Sequence, residues 1–351
     1  VSSRVLVVGV GGIGGTVAGL VSAGCTDASV VGFTTNPQVL ASLRDRGYVL
    51  DGLGPRREIP AQAVDDLHAV EPFDFIVLAV PPTRVEEAAR HAVGALAEHG
   101  AMVCLQNGLC EERVSAIAGP ERVFGAVVAW GAEMPEPGHF RRTSAGGFFL
   151  GRMDGRDDDR LRVLATLLEP VGPVEVTGNL AGARWSKLAL NSVVSTLGTI
   201  GGDRLGVLMR FRVVRRLALE IITETVAVAH AEGVRLEKVA GSLDLPWLAL
   251  TEAERAVSGS TSLVAKHTLL LAVGARYRRL RSSMLYALER GREPAVDFLN
   301  GEVVTRGRAH GVAAPVNEAA WRRVKALARG DGAPGVAGLH ALAAEVALWG
   351  A

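Results

Sequence analysis

Cysteine is scarce in this 351-residue chain, and the three present, Cys25, Cys104 and Cys110, fit neither a disulfide framework nor a zinc knuckle. They read as reduced, structural residues. Charge of one sign is also lacking: Lys and Arg number 38 against 37 acids, for a net +1, which leaves no electrostatic case for nucleic acid or an anionic membrane surface. No uninterrupted apolar stretch is long enough for a membrane span, and the first residues enter a strand-like run without a signal-peptide pattern. No internal repeat or low-complexity run occurs. A cytoplasmic protein that binds a small molecule and no metal is the expectation, and the length suffices for two domains.

Glycine, by contrast, is plentiful where it matters. Residues 4 to 15 read RVLVVGVGGIGG, an apolar strand-type run feeding into Gly9-x-Gly11-x-x-Gly14. In a dinucleotide-binding turn Gly9 leaves the strand end tightly, Gly11 admits a pyrophosphate, and Gly14 lets the following helix close on the sheet. The phosphates then sit on the helix N-terminus, at Gly11, Gly12, Ile13 and Gly14. Gly12 and Gly15 weaken a helix start, and a bound ligand is taken as their compensation.

Short apolar runs at 28–33, 73–80, 101–105, 122–129, 147–151 and 173–177, with helical patterns at 37–46 and 83–98, predict parallel strands joined by crossover helices. The expected fold is α/β: an N-terminal Rossmann-type, doubly wound parallel sheet over 1–178. Helical periods then run at 180–197, 212–232, 260–288, 294–310 and 316–328, predicting an all-helical C-terminal domain over 179–329. A glycine-rich linker and one further apolar helix, LHALAAEVALW, complete 330–351, packing on this chain or on a neighbour. A homodimer through the helical domain is compatible with its long amphipathic helices.

An acid about 20 residues beyond the glycines would mark NAD through the ribose 2′-hydroxyl. Thr34, Thr35 and Asn36 stand at that place instead. Two hydroxyls and an amide can donate to a 2′-phosphate with no carboxylate to repel it, which favours NADP (NADPH) and leaves NAD open. The same three residues also suit a simple turn before Pro37.

In the helical half Lys187, Asn191 and Ser195 are spaced i, i+4, i+8 and share one helix face. Their neighbours Leu188, Leu190, Val193, Val194 and Leu197 are apolar, so this polar stripe belongs to a mostly buried helix and a ligand is the economical reason for it. A partly desolvated lysine beside a nicotinamide suits proton donation to a carbonyl oxygen as hydride arrives at carbon. A solvated lysine is the plainer alternative. Ser282 and Ser283 can hold a substrate carboxylate or cap a helix, Asp297 and Asn300 can tie helices together, and Asn107 follows a strand end or simply forms an Asn-Gly turn.

Five motifs in order, GxGxxG at 9–14, QNGL at 106–109, W-x-K-x-x-x-N at 185–191, SSML at 282–285 and DFLNG at 297–301, resemble the ketopantoate reductase (2-dehydropantoate 2-reductase) family. The stretches from Gly131 and Gly311 are similar to that family's too, and only the tail after about Arg329 lies outside it. The resemblance implies NADPH-dependent reduction of a 2-oxo acid to a 2-hydroxy acid in a cleft between the domains. It implies Lys187 as general acid, with Asn107, Asn191 and Ser283 contacting cofactor or substrate. Ser195 takes the place of a second helix asparagine. Pro81 stands where the family has a lysine, Ala287 where it has an aspartate and Ala295 where it has a glutamate. Arg84 either replaces the lost cation or is an exposed helix-start arginine. Hydride chemistry can survive these changes while the substrate differs from ketopantoate. A catalytically inactive, NADPH-binding, redox-responsive partner protein is the alternative, and a methyltransferase would leave Lys187 without a use.

Overall fold

The computed structural model describes residues 3–68, 70–238, 243–256 and 259–347. The chain divides into two units: one runs to Gln106 and takes in Cys110–Ala181, while Asn107–Leu109 belong with the chain from Gly182 onward.

The strands of the first unit are β1 (Ser3–Val8), β2 (Ala28–Phe33), β3 (Tyr48–Asp51), β4 (Arg57–Ile59), β5 (Gln62–Val64), β6 (Phe73–Leu78), β7 (Leu96–Cys104), β8 (Val123–Val128), β9 (Ala132–Glu136), β10 (His139–Arg142), β11 (Phe148–Gly151) and β12 (Val174–Val176). Between them lie helices α1 (Gly12–Gly24), α2 (Pro37–Arg46), α3 (Val85–Ala92), α4 (Glu111–Ala118) and α5 (Asp159–Leu168). The main sheet has eight strands in the order β12-β11-β8-β7-β6-β1-β2-β5. Val5 of β1 pairs in parallel with Val30 of β2 and with Phe75 of β6. Consecutive residues Val5 to Val8 are all buried, the pattern of a strand covered on both faces, which is why the sequence there is apolar without alternation. From β1 the chain winds outward through β2 to β5 and then returns to the other side of β1 as β6. That reversal puts the topological switch point at the carboxyl ends of β1 and β6, where doubly wound sheets bind their ligands.

β11 departs from the parallel plan by running antiparallel to β8. A second sheet, β4-β3-β10-β9, is an addition to the expected architecture, and it corrects the reading of two glycines. A Cβ on Gly12 would lie 2.7 Å from the Ala132 carbonyl oxygen of β9, and one on Gly15 would enter the Phe140 ring of β10. Both glycines are required by this sheet lying on α1, so neither counts as a sign of a ligand. The 83–98 helix also breaks up: 3-10 turns at Pro82–Arg84 and Val93–Ala95 flank α3, and β7 already begins at Leu96.

In the second unit the helices are α6 (Leu180–Gly201), α7 (Leu205–Leu208), α8 (Arg212–Ala231), α9 (Leu245–Leu248), α10 (Glu252–Ala256), α11 (Thr261–Arg276), α12 (Ser283–Glu289), α13 (Asn300–Ala309), α14 (Pro315–Ala328) and α15 (Val336–Glu345). The expected period over 260–288 is two helices, because Ser282 caps α12 by accepting from Leu285 N. That over 294–310 divides as well, into a 3-10 turn at Ala295–Phe298 and then α13. The terminal helix packs on its own chain: Leu339, Leu342 and Ala343 are fully buried and α15 contacts α8 and α14. Positions 348 and 349 of that expected helix lie outside the described residues.

Buried charge gives the helical unit a pH signature. The Glu224 carboxylate of α8 accepts from Val316 N and Asn317 N at 2.9 Å each, capping α14. Burial nevertheless raises its pKa to about 7, with Glu220 adding to the effect and the bonds from Asn317 and Val316 opposing it. Between the ordinary carboxyl value and about 7 the folded state therefore holds a proton that the unfolded chain has released. Stability falls as pH rises through that window. His267 works the other way: both its ring nitrogens lack hydrogen-bond partners among the described residues. Burial, followed by Arg215, Arg212 and Arg216, lowers its pKa to about 4, so its contribution is lost as pH falls from the ordinary histidine value toward 4. Denaturant unfolding of wild type and Glu224→Gln at pH 5.5 and 7.5 isolates the first effect. The variant should gain on wild type with rising pH, by about 2 kcal/mol between those two values, and a pH-independent difference would refute this origin.

Candidate functional site

Gly9 has φ +96°, and a Cβ there would lie 2.7 Å from Val80 Cγ1, so only glycine turns off β1 at this point. A Cβ on Gly14 would lie 2.1 Å from the Gly9 carbonyl oxygen and 2.9 Å from the Ala79 Cβ just beyond β6. Gly11 differs: an added Cβ would meet nothing within 4 Å, and its φ of −94° and ψ of −162° are open to any residue. Nothing among the described residues crowds this position. The N-terminus of α1 has no side-chain cap and no acid in its first turn, which leaves amide donors there for an anion. The residues fit the pyrophosphate of a dinucleotide.

Beyond β2, Thr34 Oγ1 accepts from Asn36 N at 3.2 Å, and Asn36 Oδ1 caps α2 by accepting from Gln38 N and Val39 N. The turn geometry is present, and it uses the acceptors of these side chains. Their donors are the Thr34 and Thr35 hydroxyl protons and the Asn36 amide. Arg84 is exposed and pairs with Glu87 at 2.5 Å, a helix-start ion pair with its charge already matched. Asp51 is held down to about 2, chiefly by Arg141 and also by His139, within the second sheet.

In the second unit the candidate residues lie on α6, around the start of α12, beside α13 and at Asn107. From Gly182 onward the partly exposed positions of α6 are Ala183, Lys187, Leu190, Asn191 and Val194, and the rest are buried. At about 100° per residue those five form a single stripe. Asn191 Nδ2 on that stripe is buried without a hydrogen-bond partner among the described residues, an unsatisfied donor of the kind that a ligand oxygen would relieve. Ser195 is buried, and its carbonyl accepts from Ser282 Oγ and Thr199 Oγ1 at 2.7 Å each. Ser282, not Ser283, is thus the cap and the tie to α6, which leaves Ser283 exposed beside it. Asn107 is exposed, and the next residue, Gly108 (φ +91°), packs where a Cβ would lie 2.6 Å from the Phe298 carbonyl oxygen. Asp297 accepts from Trp321 Nε1 at 2.6 Å and Lys325 Nζ at 2.8 Å, and Asn300 is wholly buried among α6, α13 and α14. Both are helix ties.

Four polar residues on α6, α14 and α8 escaped the sequence reading: Ser192, Thr196, Asn317 and Glu224. Only Glu224 carried a signal, as a carboxylate on the apolar face of α8. The three cysteines form no disulfide. No group of three or more His, Cys, Asp or Glu suited to a metal occurs among the described residues, and no helix among them is long and apolar enough to cross a membrane.

A glycine turn at the switch point of a Rossmann-type sheet, followed by an all-helical unit with a lysine-asparagine stripe, places the chain among two-domain dinucleotide-binding proteins. Its family follows from comparison: the family described as Ketopantoate reductase PanE/ApbA matches residues 5–155, and its C-terminal counterpart matches 179–328. The chain belongs to the ketopantoate reductase family. It is 29% identical over 316 residues to a 2-dehydropantoate 2-reductase of Halobacterium salinarum, covering 89% of this chain and 95% of that one. Among solved structures, a PanE/ApbA family ketopantoate reductase from Ralstonia eutropha JMP134 superposes with TM-score 0.77 at 25% identity, covering 93% of this chain and 99% of its own. A D-mandelate dehydrogenase solved with NADH and anilino(oxo)acetate shares the fold, with TM-score 0.79 at 17% identity and the same coverage.

Proposed function

We propose that this protein reduces a 2-oxo acid to the 2-hydroxy acid with NADPH as donor. The observation that carries the reading is the α6 stripe, where Lys187 and the unsatisfied amide of Asn191 share the open face of an otherwise buried helix. When bound, the nicotinamide supplies the hydride. Lys187 donates the proton to the carbonyl oxygen as negative charge develops there. Asn191 Nδ2 donates to a substrate oxygen and so holds the carbonyl in line, and Ser195, Ser283 and Asn107 complete the polar contacts. Gly11 and the first-turn amides Gly12, Ile13 and Gly14 take the pyrophosphate. The donors of Thr34, Thr35 and Asn36, with no carboxylate among them, favour a 2′-phosphate over a bare ribose.

Ala287 and Ala295 narrow the chemistry further. Small apolar side chains at two positions, in α12 and in the 3-10 turn before α13, favour a 2-oxo acid less polar than ketopantoate. The test is oxidation of NADPH and NADH, side by side, with a panel of 2-oxo acids that includes branched and aromatic members. NADPH oxidation by at least one, faster than with NADH, is expected. Tight NADPH binding with no turnover on any member would instead favour a cofactor-binding partner protein.

A further inference from the structure

We infer that Asn300 is a positioning residue for the reaction: it fixes the rotation of α6 and so aims Lys187 and Asn191, an inference that rests on the reductase reading above. Thr196 follows Lys187 by nine residues, which at about 100° each puts it on the opposite side of the helix. There the Thr196 hydroxyl donates to Asn300 Oδ1. The Asn300 amide donates to the Ser192 carbonyl at 3.3 Å and to Asn317 Oδ1 at 2.9 Å. Asn317 Nδ2 passes the chain on to Glu224 Oε2 at 2.8 Å and to the Ile221 carbonyl at 3.3 Å. Thr196, Asn300 and Asn317 are each completely buried.

Every donor and acceptor of the two asparagine side chains is thereby used, and the chain links α6, α13, α14 and α8. The apolar contacts around α6 resist its displacement, but they tolerate small rotations, because hydrophobic packing has no direction. A hydrogen bond does have direction. Rotating α6 by a few tens of degrees breaks the Thr196 bond and strands a buried carbonyl oxygen. On the far side of the helix axis the same rotation carries the Lys187 ammonium off its line to the reacting oxygen.

The pair Thr196→Val and Thr196→Ser separates this role from plain stability. Valine keeps the volume and removes the donor, whereas serine keeps the donor. We expect Thr196→Val to lower kcat roughly 10- to 100-fold with KM for NADPH unchanged, and Thr196→Ser to stay near wild type. Leu342→Ala, in α15, serves as a control that lowers Tm without touching the chain of bonds and should leave kcat unaltered. A Thr196→Val protein with lowered Tm and wild-type kcat, or a Thr196→Ser protein as impaired as the valine variant, would overturn the inference. Labelling of Lys187 by trinitrobenzenesulfonate, read by mass spectrometry, gives an answer independent of turnover. Its rate should change several-fold in Thr196→Val and not in Thr196→Ser, and equal rates in all three proteins would defeat the positioning role even if no 2-oxo acid is reduced.

Discussion

Lys187→Ala should bind NADPH as tightly as wild type and lower kcat by about 10²- to 10⁴-fold, the range that a positioned proton donor contributes. Two features make this expectation specific. Lys187 lies on the partly open stripe of α6, while the flanking Ser186 and Leu188 are buried, so truncating it creates no cavity in the helical core. The role proposed for it, moreover, would be exercised as charge develops on the substrate oxygen, so kcat and kcat/KM should fall together. Lys187→Arg is the sharper companion. It retains the charge and a similar stem, yet a guanidinium gives up its proton poorly, so binding should survive and turnover should not. Undiminished kcat in either variant would remove Lys187 from the chemistry while leaving reduction itself possible for another donor.

The second large effect concerns the glycine turn, where two substitutions of the same kind should have opposite consequences. At Gly11 an added Cβ meets nothing within 4 Å, and the extended backbone suits a β-branched residue. Gly11→Val should therefore fold with wild-type Tm. Its side chain occupies the space that a pyrophosphate would use, and NADPH affinity should drop about 100-fold, equivalent to about 2.7 kcal/mol. At Gly14 the added carbon lies 2.1 Å from the Gly9 carbonyl oxygen, which neither backbone can yield. Gly14→Ala should lose Tm, and soluble expression with it. Calorimetric titration and thermal melts of the pair decide the matter: a Gly11→Val protein with unchanged Kd would mean that the turn binds no dinucleotide.

How far the sequence carried depended on whether each determinant was local. β1, α1, β2 and α2 are legible because each signal lies within its own element: an apolar run, a glycine spacing, and a helical period beginning at Pro37. The stripe on α6 is legible for the same reason, since Lys187 and Asn191 are one helical turn apart. β4 and β9 were not legible, because Arg57–Ile59 and Ala132–Glu136 are largely open to solvent and carry no apolar run, and β3 and β10 were not, because each is only four residues long and pairs with the other across some 90 residues of sequence. Their presence also explains the misreading of Gly12 and Gly15, whose small size serves contacts with Ala132 and Phe140 more than 100 residues downstream. The break at Ser282 was half visible, as a capping hydroxyl. Of the Thr196–Asn300–Asn317–Glu224 chain only Asn300 was visible, as a residue able to tie helices: Thr196 and Asn300 are separated by 104 residues, and no spacing rule joins four polar side chains from four helices.

Central to the proposed function is hydride transfer to the carbonyl carbon of a 2-oxo acid. The most direct measurement follows the transferred atom, by running the reduction with NADPH deuterated at C4 and examining the hydroxy acid by mass spectrometry. One deuterium at C2 of the 2-hydroxy acid, delivered from only one of the two C4-labelled forms of the cofactor, is the expected result. A 2-hydroxy acid without the label, or no hydroxy acid from any member of the panel, would contradict it.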